Sequence, residues 1–258
     1  MSEILYPTEI QREAVEVIQD FFLRQSNIDT ILLVNSLARG KATPESDIDI
    51  AILGKQAINK IAITELENAW QVFLNSAPTL IRYRNSNRFA KVHLDIIDGC
   101  FEPAIWEVDG GIDFFEVEIG NRLLYSVPLA GIGGHFQKLI LEWLPYYTTT
   151  LQVQRLKLIK EACLYNIEHI PFLVKRGLYF QAFDQLYIAF QKFLQALFIR
   201  YKTYPIAYNK WIKDQVVGIL KLPELYKELP KIISVSNIES IEIIKNAEQL
   251  KFILDQYC

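Results

Sequence analysis

An α+β fold is predicted for this chain, with an N-terminal mixed sheet flanked by helices followed by an all-helical bundle. Three observations predict it. Short apolar and alternating runs, the pattern of strands, fill the first half of the sequence. Helical periodicity dominates after Pro128. Between the two regimes stand Gly131, Gly133 and Gly134, which read as a linker or hinge. The division therefore falls near residue 130, giving domains of residues 1–130 and 131–258.

Taken in order, Thr8 followed by Gln11 reads as a capping box. Ile10, Ala14, Val17, Ile18, Phe21 and Phe22 then recur at helical spacing, ending near Arg24. Ile31 to Val34 is a short apolar run, fit for a strand covered on both faces. Residues 36–46 hold Gly40, Pro44 and small polar side chains and read as a turn. From Asp47 the pattern alternates: Ile48, Ile50 and Ile52 share one face, and Asp47, Asp49 and Ala51 the other. Gly54 ends that strand, and a helix over about 60–73 follows. Lys91 to Asp98 repeats the alternation, with His93, Asp95 and Ile97 opposite Val92, Leu94 and Ile96. Ile112 to Ile119 and Leu123 to Ser126, split by Gly120 and Asn121, predict a hairpin. Helices are predicted over about 152–167, 180–201 and, from a capping box of Ser236 with Glu239, through Tyr257. Pro205 breaks the second of these, and the segment from Tyr201 to Trp211 reads as an interhelical loop.

Composition narrows the function classes. The chain has 258 residues, 51% of them apolar, so a sizeable core can be buried. A net charge of -3 gives no basic surplus of the kind that a dedicated nucleic-acid binder carries. Cys100, Cys163 and Cys258 show no ligand spacing, which argues against a cysteine zinc site and for a reduced, cytoplasmic setting. No apolar run approaches the roughly 18 residues of a membrane span, and no secretory leader is visible.

Chemistry concentrates in Ile31 to Leu53. Asp is disfavoured in strands, yet Asp47 and Asp49 lie in a strongly apolar one. Residues two apart on a strand project to one side, with Cα atoms roughly 6.6 Å apart. Carboxylates so placed could bracket two divalent ions about 3.5–4 Å apart. Asp95 sits in a strand of matching pattern and would join them if the two strands are neighbours. Alone, Asp-x-Asp is common in solvated turns; the third carboxylate and the preceding turn raise its weight. That turn carries Asn35, Ser36, Arg39 and Lys41, suited to phosphate through backbone N–H groups, a hydroxyl and cations.

These residues resemble the nucleotidyltransferase superfamily of DNA polymerase beta type. Its signature is Gly-Ser, a short spacer, Asp-x-Asp, and a third Asp on a later strand. Ser36-Leu37-Ala38-Arg39-Gly40 with Ser46-Asp47-Ile48-Asp49 is similar to the minimal branch, and the resemblance covers about residues 30–98. A helical bundle after such a domain is similar in architecture to antibiotic nucleotidyltransferases of the kanamycin and lincosamide kind. One residue departs from the pattern: Asn35 stands where the family has Gly.

The resemblance implies a catalytic and metal set of Asp47, Asp49 and Asp95, holding two Mg²⁺ ions. It implies that Asn35, Ser36, Arg39 and Ser46 contact a nucleoside triphosphate, ATP being favoured. The reaction it implies moves a nucleoside monophosphate to a hydroxyl acceptor, a small molecule favoured, with release of pyrophosphate. Asp98, Glu107, Glu116 and Asp184 stay open as the acceptor's base, and a homodimer is left open. The competing reading is a weak or inactive nucleotidyltransferase-fold interaction protein, an antitoxin-like partner, which Asn35 favours and the retained carboxylates oppose.

Overall fold

The structure is a computed structural model that describes residues 4–55, 58–102, 112–145 and 147–258. It forms two compact units. The first is Met1–Phe101 with Ile119–Pro145, the second Glu102–Glu118 with Tyr146–Cys258.

In the first unit, α1 (Glu9–Leu23) starts where the capping box predicts: Thr8 Oγ1 accepts from Gln11 N and donates to Gln11 Oε1. β1 (Ile28–Leu33) leads into a single short turn of helix, α2 (Asn35–Ala38), and then β2 (Ile48–Gly54). Asn59 caps α3 (Lys60–Ser76), Pro78 opens α4 (Pro78–Arg84), and β3 (Val92–Ile97) follows. The mixed sheet has the order β3-β2-β1-β4, where β4 is Val127–Pro128. β2 runs parallel to β3, while β1 is antiparallel to β2 and β4. The alternation does what it predicts: Ile48, Ile50 and Ile52, with Ile31 and Leu33, share one core with Phe22, Trp70, Leu80 and Tyr83 of the helices. Phe21 stacks on Phe73 and Phe22 on Trp70, which fixes α1 against α3. Each fully buried aliphatic or aromatic side chain there contributes about 1.5–3 kcal/mol. The other sheet face buries Leu32, Ala51 and Leu53 and also carries Asp49 and Asp95.

Three expectations change. The hairpin over 112–126 is helical: α5 (Phe115–Ile119) runs into a π-helical turn, Gly120–Leu124. Phe115, Ile119 and Leu123 are all buried, and their spacing of four is a helix period that outweighs the apparent alternation. The Gly-rich stretch at 131–134 is the anchored start of α6 (Gly134–Trp143), inside the first unit. Asp29 accepts from His135 N and Phe136 N at 3.0 Å each, and Thr30 Oγ1 accepts from Gly133 N. A strand carboxylate thus caps the helix and complements its dipole. A Cβ on Gly133 would lie 2.3 Å from that carboxylate. Gly133→Ala is therefore expected to lower stability by about 1–3 kcal/mol, measured as a shift in the urea midpoint; an unchanged midpoint would contradict the capping role.

The second unit is helical throughout its regular elements: α7 (Thr149–Lys175), α8 (Tyr179–Arg200), a π-helical turn (Asp214–Ile219), α9 (Pro223–Ile232) and α10 (Glu242–Tyr257). Thr148 caps α7. Gly177, at φ 72°, closes that helix by a Schellman pattern, with Leu178 N donating to Leu173 O. α8 buries a wide stripe including Leu186, Phe190, Phe193, Leu194, Leu197 and Phe198, as its periodicity predicts. The loop over 201–211 is stitched by buried Gln215, which accepts from Ile206 N and donates to Ala207 O and Lys210 O. The third change lies here: Ser236 binds the Glu242 carboxylate instead of opening a helix, and α10 starts six residues later. Among the described residues, no helix is long and apolar enough to cross a membrane.

Candidate functional site

The parallel register pairs Asp49 with His93 and Ala51 with Asp95. Paired residues of adjacent strands share a face, so Asp49 and Asp95 lie on the same side of the sheet, opposite the isoleucine core. Asp95 is one pair further along, a diagonal of about 8 Å between Cα atoms. Asp47 sits just before β2. Its carboxylate accepts from Lys91 N at 3.1 Å and lies 3.4 Å from His93 Nε2. Asp95 is ion-paired with Arg122 at 2.9 Å. Among the described residues, no three His, Cys, Asp or Glu side chains are gathered as a metal-ligand group. The register thus places Asp49 and Asp95 on one face, with Asp47 just before β2, and the side chains of Asp47 and Asp95 are held by basic and backbone partners.

The turn ahead of β2 is tied down at both ends. Val34 N donates to Asp49 O, and Lys41 N donates to Ser36 O. Asn35 has φ 57°, the left-handed region where L-residues other than Asn, Asp and Gly are strained. Asn tolerates this backbone better than most residues, as the Gly that the resemblance expects at this position would. Asn35→Ala is expected to lower stability by about 1 kcal/mol, and Asn35→Gly to be neutral within about 0.5 kcal/mol; thermal melts of both variants check this, and an Ala variant as stable as wild type would contradict it. Burial lowers the pKa of the half-buried Arg39 guanidinium, while nearby Asp49 and Tyr125 raise it. Its Nη1 donates to Asn121 Oδ1 at 3.3 Å. Ser36 is partly exposed at the start of the turn. Ser46 Oγ accepts from Thr43 N, so that hydroxyl closes the local loop.

Two supporting residues were not singled out as functional in the sequence. Gln11, fully buried on α1, donates to Thr43 O and Ser46 O. Tyr83, fully buried on α4, donates to Ser46 O at 2.9 Å. Burial, then Asp47 and Asp49, hold the Tyr83 phenol up, so it stays a donor. Together they fix the carbonyl that precedes Asp47. The capping box exposed Gln11 as a helix-start residue, but its reach to a loop more than thirty residues on is a tertiary fact.

Residues 16–96 match the family described as polymerase beta, nucleotidyltransferase. That stretch begins within α1, ends in β3 and contains Asn35, Ser36, Arg39, Asp47, Asp49 and Asp95. Over that stretch the chain is similar to a nucleotidyltransferase domain of the polymerase beta type. No curated protein matches the chain significantly. The π-helical turn with Asn121 and Arg122 lies beyond the matched stretch of the nucleotidyltransferase domain.

Of the four carboxylates open as base, Glu116 is fully buried inside the second unit. Arg155 Nε and Nη2 donate to it, and Gln195 Nε2 donates at 2.6 Å. It is a structural residue there. Asp98 accepts from Cys100 N in a local turn. Glu107 lies outside the described residues.

Proposed function

We propose that this protein transfers a nucleoside monophosphate, AMP from ATP, to a hydroxyl of a small molecule or macromolecule, using Mg²⁺. One observation carries the reading: Asp49 and Asp95 share a face of neighbouring parallel strands, with Asp47 at the strand entrance beside them. All-oxygen, carboxylate donors of this kind suit Mg²⁺, which keeps several waters and takes one or two carboxylates plus phosphate. In chemical type these residues fit the ion, and Asp47, Asp49 and Asp95 would hold it. When bound, Mg²⁺ would supply charge neutralisation at the phosphates and lower the pKa of the attacking hydroxyl.

The rest is done by the chain. Ser36 and the α2 turn would hold a terminal phosphate, and Arg39, beside Asp49, would offset its charge. Asp95, exposed at the sheet edge, would lie nearest the acceptor. The helices of the second unit would bind that acceptor. A reduced cytoplasmic setting accords with ATP as co-substrate.

The test follows ATP labelled at the α-phosphate, offered with aminoglycosides, lincosamides, tRNA and proteins. The reading expects Mg²⁺-dependent transfer of label to one acceptor class with release of pyrophosphate. No transfer, together with no Mg²⁺-dependent ATP binding, would sink it. The second reading, a nucleotidyltransferase-fold interaction protein without turnover, draws on Asn35 and on the ion pair that occupies Asp95; that double negative is the result it expects.

A further inference from the structure

Arg122 and Asn121 are consecutive residues of the π-helical turn Gly120–Leu124. Arg122 Nη1 reaches Asp95 Oδ2 at 2.9 Å, and Asn121 Oδ1 accepts from Arg39 at 3.3 Å. One turn of chain thus touches both the third carboxylate and the turn cation. The turn is built, not frayed. Tyr125 N donates to Gly120 O at 2.8 Å, Ser126 Oγ donates to Arg122 O at 2.7 Å, and Leu123 is buried beneath it. Wide turns of this kind recur at functional sites. Asp95 is 60% exposed and Arg122 21%, so the pair is open enough to exchange partners.

We propose that Arg122 stands in for the cation at Asp95 in the nucleotide-free protein, and moves to the triphosphate when metal and nucleotide load. This rests on the reading of Asp47, Asp49 and Asp95 as a Mg²⁺ site. The reasoning is electrostatic. A carboxylate cannot keep a guanidinium salt bridge at full strength while ligating a divalent ion, because the two cations repel at that range. The guanidinium displaced from Asp95 stays tethered within a few ångströms of the site. It carries five donors in a planar fork, the geometry that phosphate oxygens accept bidentately. Arg122 therefore weakens binding of the bare metal and strengthens binding of the metal–nucleotide complex. The two effects have opposite sign, which a merely structural arginine would not produce.

The experiment measures two affinities on the full chain: Mn²⁺ alone, by loss of the free-ion paramagnetic resonance signal, and a non-hydrolysable ATP analogue with Mg²⁺, by calorimetry. Arg122→Gln is expected to bind Mn²⁺ up to about fivefold more tightly, the scale of a partly exposed ion pair. It is expected to bind the analogue about tenfold more weakly or worse, the scale of a charged hydrogen bond to phosphate. Arg122→Lys, which keeps the charge and loses the fork, should fall between wild type and Arg122→Gln in both. Both affinities moving together, or neither moving, overturns the proposal. Asp49→Asn is measured alongside to separate the two readings. If it abolishes Mn²⁺ binding while Arg122→Gln behaves as wild type, the arginine proposal alone fails. If Mn²⁺ binding is indifferent to Asp49, the metal-site reading fails and takes the proposal with it.

Discussion

Asp49→Asn is expected to cut nucleotidyl transfer by about a thousandfold while leaving the fold intact. The substitution keeps shape and volume but removes one of the charges that would hold the metal, a deficit of several kcal/mol at the transition state. Asp49 is the right position for the test. It lies inside β2, where its neighbours Ile48 and Ile50 are locked in the core, so the side chain has little freedom to compensate. The backbone bond from Val34 N to Asp49 O is untouched by the change, so the turn geometry should persist. Transfer measured under saturating ATP and Mg²⁺, with a circular dichroism melt as control, reads the effect. Turnover within tenfold of wild type would mean that these carboxylates do not carry the chemistry.

Arg155→Ala is expected to destabilise the protein by about 3–5 kcal/mol, a fall in melting temperature of roughly 10–20 °C for a unit of this size. Arg155 is 4% exposed and sits between Asp113, 9% exposed, and Glu116, wholly buried. Its guanidinium donates to both carboxylates at 2.9–3.1 Å, and Gln195 Nε2 donates to both as well. One guanidinium serves two acids. Burial first, and then the Asp113 charge, push the Glu116 pKa up against the pull of Arg155 and Gln195. Truncating Arg155 leaves two buried acids with no cation, and one of them must take up a proton. A triple change, Arg155→Met with Asp113→Asn and Glu116→Gln, should recover most of the loss, because it removes the charges together. The pH dependence has a definite sign. Glu116 binds its proton more tightly folded than unfolded, so its contribution is present below about pH 4.3 and is lost as pH rises through its folded pKa. Melts of wild type and Glu116→Gln across pH 4 to 8 check this: the difference should grow in favour of Gln as pH rises.

β1, β2 and β3 and the facing of β2 were legible because alternation is a local property: Ile48, Ile50 and Ile52 have to face one way if Asp49 faces the other. So were α1, through Thr8 and Gln11, and α8, through its apolar stripe. The segment 112–126 was not. Its apolar residues fit both periods over a short window, and what decides between them is long-range. Glu116 is held by Arg155, 39 residues on, and the π-helical turn reaches back to Asp95 and Arg39. The Gly-rich stretch misled for a similar reason. Glycines there look like a hinge, but Gly133 is small because the Asp29 carboxylate packs against it. Of the candidate site, the acids and the turn were readable from spacing. Gln11, Tyr83 and Arg122 were not, since their roles exist only once the loops they touch are folded beside them.

The central claim is a metal–nucleotide site built on Asp47, Asp49 and Asp95. Calorimetric titration of the protein with ATP, with and without Mg²⁺, tests it most directly. The account predicts saturable binding that requires Mg²⁺ and is lost in both Asp47→Asn and Asp49→Asn. Binding that is absent in wild type, or that survives unchanged in both variants, would contradict it.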